Sequence, residues 1–439
     1  MGPAPEIDAP PDEIEMGSST SNLAVGKGTA GAMAPSHFIG RQPIFDGRRQ
    51  VIAYELLFRY DTDNQCPASD ADLATLATID RSLNVIGLKA LVAGKQAFIN
   101  VTRELLIGQT LRMLPASQVV IEVLESVEAD EPVLAALKSL REAGFTIALD
   151  DFILNERTRP LVALADIIKL DLITTGSEGC RRIIEQTRRP NLKFLAEKVE
   201  SDDVFIRMKQ LGCTMFQGYF FAKPQIVRAR KLGTGRLQST RLMHIISQHK
   251  IDMEATEEVL RQDVTLSLKL LTYLNSAALG LSHKVTSIRH ALALLGEIKL
   301  RHWVAVVAMT MLIDEKPAEL ARMSMVRGRF LESLLSQIDA QTGDVDSFLF
   351  GLFSMIDAMM DQPMHQAVER LALTNAMKDA LVGSNVTLNL LLALVQACER
   401  GQWNDVDEIA QAIPIDPILL ADHYRSAMAW ADRAFTPQK

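Results

Sequence analysis

The chain has 439 residues, 48% of them hydrophobic and 23% charged, a mix that excludes a disordered protein and a small disulfide scaffold. With 46 Lys and Arg against 54 Asp and Glu, the formal charge of −8 argues against a protein that coats DNA or RNA, which needs a basic surface to displace counterions. The four cysteines, Cys66, Cys180, Cys213 and Cys398, have neither zinc-ligand spacing nor the density of a disulfide framework, so a reducing, cytoplasmic location is expected.

A single hydrophobic core rarely grows past roughly 250–300 residues, so two domains are expected. Residues 1–37, rich in Pro, Gly, Ala, Ser and acids, read as a flexible tail without the basic and apolar parts of a secretory signal. No apolar run reaches the roughly 18–20 residues that span a bilayer. From 38 to 225, short apolar runs alternate with amphipathic ones. Strands are predicted at Phe38–Phe45, Val51–Phe58, Gln96–Val101, Val119–Leu124, Thr146–Asp150, Ile167–Leu170, Phe194–Glu197 and Thr214–Gln217, with helical runs such as Asp70–Leu91, Pro132–Ala143 and Cys180–Arg188 between them. Buried short strands separated by helices indicate a parallel sheet, and so many units in this length suggest a compact, TIM-like (β/α) barrel.

From 226 to 439 strand signals vanish and helices take over, giving an α/β domain followed by an all-α one. Among the predicted helices are Arg236–Gln248, Thr256–Gln262, Leu266–Leu274, Ser287–Leu295, Arg301–Leu312, Ala318–Asp339, Ser347–Asp361, Leu388–Arg400 and Pro417–Phe435. The boundary falls near Pro224–Arg230. The basic residues Arg228, Arg230, Lys231, Arg236 and Arg241 read as a solvated face around the linker rather than a nucleic-acid site.

An active site in a barrel sits where its strands end. Glu55, Asn100, Glu122, Asp150 with Asp151, Lys169, Glu197 and Gln217 lie at successive strand ends, with Glu125 and Glu200 shortly after two of them. Taken singly, each acid is more often a helix cap or a solvated loop residue. Together they form a set of oxygen donors without His or Cys, which suits Mg²⁺ or Mn²⁺ rather than zinc. Two such ions could clamp a phosphodiester and activate water, and a lysine nearby could orient that water.

The stretches RQPIFD (41–46), YELLFR (54–59), FINVT (98–102), IEVLES (121–126), IALDDF (147–152), IIKLD (167–171), AEKVE (196–200) and QGYFFAKP (217–224) occur in the order and spacing of an EAL domain, which the region 38–225 therefore resembles. The resemblance implies a modified (β/α) barrel that hydrolyses cyclic di-GMP to linear pGpG with two divalent ions, Mg²⁺ or Mn²⁺. It implies metal ligands at Glu55, Asn100, Glu122, Asp150 and Asp151, and catalytic roles for Lys169, Glu197 and Gln217. It further implies dinucleotide contacts at Gln42 and Arg59, and a loop anchor at Glu125. One departure stands out. Where active members continue Asp-Asp-Phe with Gly-Thr-Gly-Tyr-Ser-Ser, this chain reads Ile153-Leu154-Asn155-Glu156-Arg157, which puts the second metal and the family's usual dimer interface in question.

Residues 263–271, 274–277, 287–291 and 295–296 resemble an HDOD domain, an all-helical relative of HD phosphohydrolases. Ser354 and Met355 stand where a hydrolytic relative has His and Asp, so metal chemistry is not expected there. Two readings follow. One is a cyclic di-GMP phosphodiesterase regulated by its helical domain. The other is an inactive receptor or scaffold that recruits a signalling protein through that domain; in both, a homodimer is an open arrangement.

Overall fold

In this computed structural model residues 39–58, 88–222 apart from 109, and 242–435 with short breaks, the longest at 275–284, are described. The expected tail, Arg59, most of the Asp70–Leu91 run, the domain boundary and the basic cluster of 228–241 lie outside the described residues.

Eight strands close into a barrel in chain order: β1 (Ile39–Asp46), β2 (Val51–Phe58), β3 (Gln96–Val101), β4 (Val119–Val123), β5 (Thr146–Leu149), β6 (Ile167–Asp171), β7 (Lys193–Glu197) and β8 (Met215–Gln217). Every predicted strand forms, its ends shifted by at most one residue. The parallel expectation needs one correction: β2 to β8 run parallel in succession, but β1 is antiparallel to both β2 and β8. The cause is the short link Gly47–Gln50. Asp46 Oδ1 accepts from the backbone N–H groups of Arg48 at 2.8 Å and Gln50 at 2.9 Å, closing a tight turn. A parallel crossover needs a dozen or more residues, so this link permits only a hairpin.

The connecting helices are α1 (Leu88–Leu91), α2 (Arg103–Ile107), α3 (Glu131–Glu142), α4 (Arg159–Val162), α5 (Gly176–Thr187) and α6 (Asp202–Leu211). Their starts follow from local chemistry. Asp130 accepts from Val133 N–H at 3.0 Å ahead of α3, and Ser201 accepts from Val204 N–H at 3.4 Å ahead of α6, each satisfying an orphan donor of the first turn. β4 and β6 are buried along their full length, as strands between a lumen and an outer helix must be.

The second half is helical: α7 (Met253–Gln262), α8 (Val264–Leu274), α9 (Ile288–Leu312), α10 (Ala318–Leu335), α11 (Ser347–Phe353), α12 (Ile356–Met360), α13 (Met364–Glu369), α14 (Asn375–Leu381), α15 (Val386–Arg400), α16 (Trp403–Ala412) and α17 (Pro417–Phe435). The two runs expected at 287–295 and 301–312 are joined in α9 across a kink at Gly296, whose φ of 68° is not helical. The single helix expected over Ser347–Asp361 is instead two. Ser354 Oγ donates to Gly351 O at 2.7 Å, and Met355, with φ −123° and ψ 19°, starts a new helix. Among the described residues no single helix is long and apolar enough to cross a membrane; α14 and α15 reach that length only as a pair bent by 48°.

A hairpin brings no crossover helix to its outer face, and the helical half packs on β1 and β2. Tyr54 Oη donates to Glu319 Oε2 at 2.8 Å, Arg41 Nη2 donates to Asp432 at 2.9 and 3.0 Å, and Arg322 bridges Glu319 at 2.9 Å and Asp432 at 2.5 Å. At the end of α15, Gly401 has a φ of 66°, and a Cβ there would lie 2.6 Å from Leu57 Cδ1 of β2. Only glycine permits both that backbone conformation and that approach.

Candidate active site

Inside the barrel, each strand sends one side chain into an apolar plug: Ile44, Ala53, Phe98, Val120, Ala148, Ile167, Leu195 and Met215. Side chains of a strand return to the same face every second residue. Two residues toward the C-terminal mouth from each plug residue, and two residues back on the antiparallel β1, stand Gln42, Glu55, Asn100, Glu122, Asp150, Lys169, Glu197 and Gln217. The site is thus the next layer of the lumen, one polar residue from each strand or its end. Pairing registers Gln42 with Glu55 and Asn100 with Glu122.

Lys169 is buried in the middle of this layer. Its Nζ lies 2.8 Å from Asp150 Oδ1, 2.9 Å from Glu197 Oε1 and 3.4 Å from Glu55 Oε2, and also contacts Glu122 Oε1. Asn100 Nδ2 donates to Glu55 Oε1 at 3.0 Å. Gln217 Nε2 donates to Glu55 Oε2 at 2.7 Å and to Gln42 Oε1 at 2.8 Å. Gln42 Nε2 in turn donates to the carbonyl of Arg400, the last residue of α15, at 3.2 Å. After Gln217 the chain turns at Gly218, where φ is 140° and a Cβ would lie 2.2 Å from Val199 O. Glycine is required at this point of the QGYFF stretch, and it lets β8 end with Gln217 facing the lumen.

One ammonium faces four carboxylates, so the layer carries excess negative charge. Burial, reinforced by Glu55, pushes Glu122 well above the carboxylate range despite Lys169. Burial likewise pushes Glu197 up to about 8, against the pull of Lys169. For Lys169, burial alone would lower the pKa, but the surrounding carboxylates outweigh it and hold the ammonium well above the ordinary lysine range. Four acceptor oxygens, Asn100 Oδ1, Glu122 Oε2, Glu197 Oε2 and Gln217 Oε1, are buried without a hydrogen-bond partner. Such oxygens are expensive unless a cation or water meets them.

Asp150, Asp151 and Glu197 offer oxygens that all lie within 4.8 Å of one another, the one such group of His, Cys, Asp or Glu among the described residues. Opposite oxygens around a Mg²⁺, Mn²⁺ or Ca²⁺ ion are roughly 4–5 Å apart, so the donor set and its spacing fit a hard divalent cation. Asp151 stands at the rim with φ of 38° and is raised by burial and by Asp150, with Lys198 at 4.0 Å opposing.

The loop after Asp151 is closed on itself. Thr158 Oγ1 donates to Ile153 O at 2.7 Å, and Asn155 Oδ1 accepts from Arg157 N–H at 2.8 Å, leaving Ile153 55% exposed. Glu125 and Glu200 are exposed, so neither joins the buried layer. In the helical half Met355 is buried, and Ser354 Oγ accepts from Arg327 at 3.2 Å; Arg327 also forms a two-pronged pair with Glu399 at 2.7 and 2.8 Å.

A cavity of about 530 Å³ opens over the layer, and its far wall belongs to α10, α15 and α17, including Glu319, Arg322, Arg400 and Tyr424. Nothing local in sequence marks these helical residues as part of the site. By contrast the places of Arg41 and Tyr54 follow from alternation, since each neighbours an inward residue and so faces the helical half.

The EAL domain family matches residues 41–224, and the HDOD domain family matches residues 238–413. The chain is 31% identical to the cyclic di-GMP phosphodiesterase CdgJ of Vibrio cholerae over 90% of this chain and 92% of that protein. It is 30% identical to the uncharacterised protein YuxH of Bacillus subtilis over 90% of this chain and 97% of that one. Among solved structures, the Bacillus subtilis YkuI protein, with an EAL domain in complex with c-di-GMP and calcium, matches with a TM-score of 0.37 at 21% identity, covering 45% of this chain and 57% of that one.

Proposed function

From the premise that this chain belongs to the family of EAL proteins fused to an HDOD domain, which acts in cyclic di-GMP signalling, we propose that it is a metal-dependent phosphodiesterase that opens cyclic di-GMP to pGpG. The observation that carries this reading is the inward layer itself: one polar residue from each of eight strands, with more negative charge than Lys169 can offset.

In this reading Asp150, Asp151 and Glu197, whose oxygens have the spacing, would hold a divalent cation, and Glu55, Asn100 and Glu122 would complete the ligand set that the family resemblance implies. Mg²⁺ and Mn²⁺ are the proposed ions. When bound, such cations polarise the phosphoryl oxygens and acidify water. The chain's own residues supply the rest. Lys169, fixed by its carboxylate partners, directs an N–H toward the attacking water or the developing charge on phosphorus. Glu197, beside Lys169 in the layer, would take the water proton as its carboxylate, and that proton balances the ribose 3′ alkoxide as its P–O bond breaks. Gln217 and Asn100 hold the Glu55 carboxylate in one orientation. Gln42 and Arg59 are proposed dinucleotide contacts, with Glu125 a loop anchor whose expected partners have been replaced.

The domain limits 38–225 and 226–439 and a cytoplasmic location form part of the proposal. The closed loop at 153–158, built without the family's glycines, favours a second reading, a cyclic di-GMP receptor that does not turn over. Incubation of the full chain with Mn²⁺ and cyclic di-GMP, followed by chromatography, separates the two. Phosphodiesterase action yields pGpG and is lost in Glu55→Ala; binding without product identifies a receptor; neither binding nor product removes both.

A further inference from the structure

The two walls of the cavity differ in how their charge is balanced. The barrel wall is a layer of carboxylates. A cyclic dinucleotide carries two phosphodiesters, each negative, and cations held by the carboxylates meet only the one placed over them. The second needs positive charge from elsewhere in the cavity.

On the helical wall most charge is already matched. Glu399 is held by Arg327 at 2.7 Å, and Glu319 is held by Tyr54 at 2.8 Å and Arg322 at 2.9 Å. Arg400 has no carboxylate partner among the described residues, yet it is fixed at both ends. Its carbonyl accepts from Gln42, and its guanidinium lies 5.0 Å from the centre of the Tyr219 ring. Arg322 adds a second donor: it is 7% exposed, it lines the same cavity, and its Nη2 has no partner. The Arg400 guanidinium lies against the Tyr219 ring and also bonds its hydroxyl, which leaves the remaining N–H groups of its planar fork for a phosphate.

We infer that Arg400, supported by Arg322, is a phosphate-binding residue of the barrel site, so that the ligand is gripped by both halves of the chain. This rests on the cyclic di-GMP reading above. The helical half is then a part of the binding site and not only an attached regulator.

The test uses calorimetry on the full chain, first with Ca²⁺ alone and then with cyclic di-GMP in saturating Ca²⁺. Arg400→Ala is expected to weaken cyclic di-GMP binding about ten- to hundredfold, the range of one charge-assisted hydrogen-bond pair, with Ca²⁺ affinity unchanged. Arg400→Lys, which keeps the charge without the fork, should fall between. Equal dinucleotide affinity in wild type and Arg400→Ala overturns the inference and leaves the functional reading standing. A parallel loss of Ca²⁺ affinity also overturns it, because the substitution would then act on the shape of the carboxylate layer and not on a phosphate. A wild-type chain that binds Ca²⁺ but no cyclic di-GMP removes both.

Discussion

Buried charge occurs in both halves of the molecule, but it is balanced in only one. In the helical half Arg327 meets Glu399 in a two-pronged pair, one cation to one anion. In the barrel Lys169 stands among Glu55, Glu122, Asp150 and Glu197, one cation to four carboxylates, and two of those carboxylates keep an unpartnered oxygen. A matched buried pair is an ordinary packing element once its hydrogen bonds are complete. An unmatched cluster is costly in the isolated fold, and its persistence points to a positive partner supplied from outside.

Removing single cations should expose this difference most strongly. Lys169→Met and Arg327→Met each leave carboxylate charge buried and should cost about 3–5 kcal/mol in urea unfolding. The double change Arg327→Met with Glu399→Leu should recover most of that loss, whereas Lys169→Met with Glu122→Gln should recover only part, because three carboxylates remain. Equal recovery in both halves would remove the distinction.

Divalent metal should act on the barrel cluster alone. Mn²⁺ at a hundredfold excess over its Kd should raise unfolding stability by about 2.7 kcal/mol, and Asp150→Asn should abolish the gain while Arg327→Met should not. Thermal unfolding with and without Mn²⁺ reads this directly. At the junction of the halves, Gly401→Ala must hold a left-handed backbone against Leu57 and should cost at least about 1–2 kcal/mol, measured by the same unfolding assay.

The remaining contrast is a pH slope. Burial pushes Glu319 up to about 7, outweighing Arg41 and the Tyr54 hydroxyl. The folded chain therefore keeps a proton that the unfolded chain releases near the ordinary carboxylate range. The contribution of this group is full below that range and is lost as pH rises toward about 7, so stability should decline over that window. Glu319→Gln should flatten the decline in denaturant midpoints collected from pH 5 to 8.

Much of the barrel was legible because strands and their inward faces obey a local rule. The plug residue on each strand predicts the polar residue two positions away, so Glu55 follows from Ala53 and Lys169 from Ile167. The antiparallel β1 departs from the alternating pattern because the short turn at Gly47–Gln50 allows only a hairpin. In the helical half, the short α13 and α14, and α16, lie between the longer runs that carry the clearest pattern. The joined helix α9 carries two predicted runs because a glycine kink and a helix end look alike in sequence.

The sequence by itself determined the strand positions, the inward alternation and the residue types of the polar layer, since these depend on neighbours within a few positions along the chain. Only the tertiary structure decided that Lys169 is shared by four carboxylates, that the loop after Asp151 closes on itself, and that Arg322 and Arg400 face the barrel mouth. Those facts join residues as far apart as Gln42 and Arg400, and such pairing is set by how the helical half packs on the hairpin rather than by any local pattern.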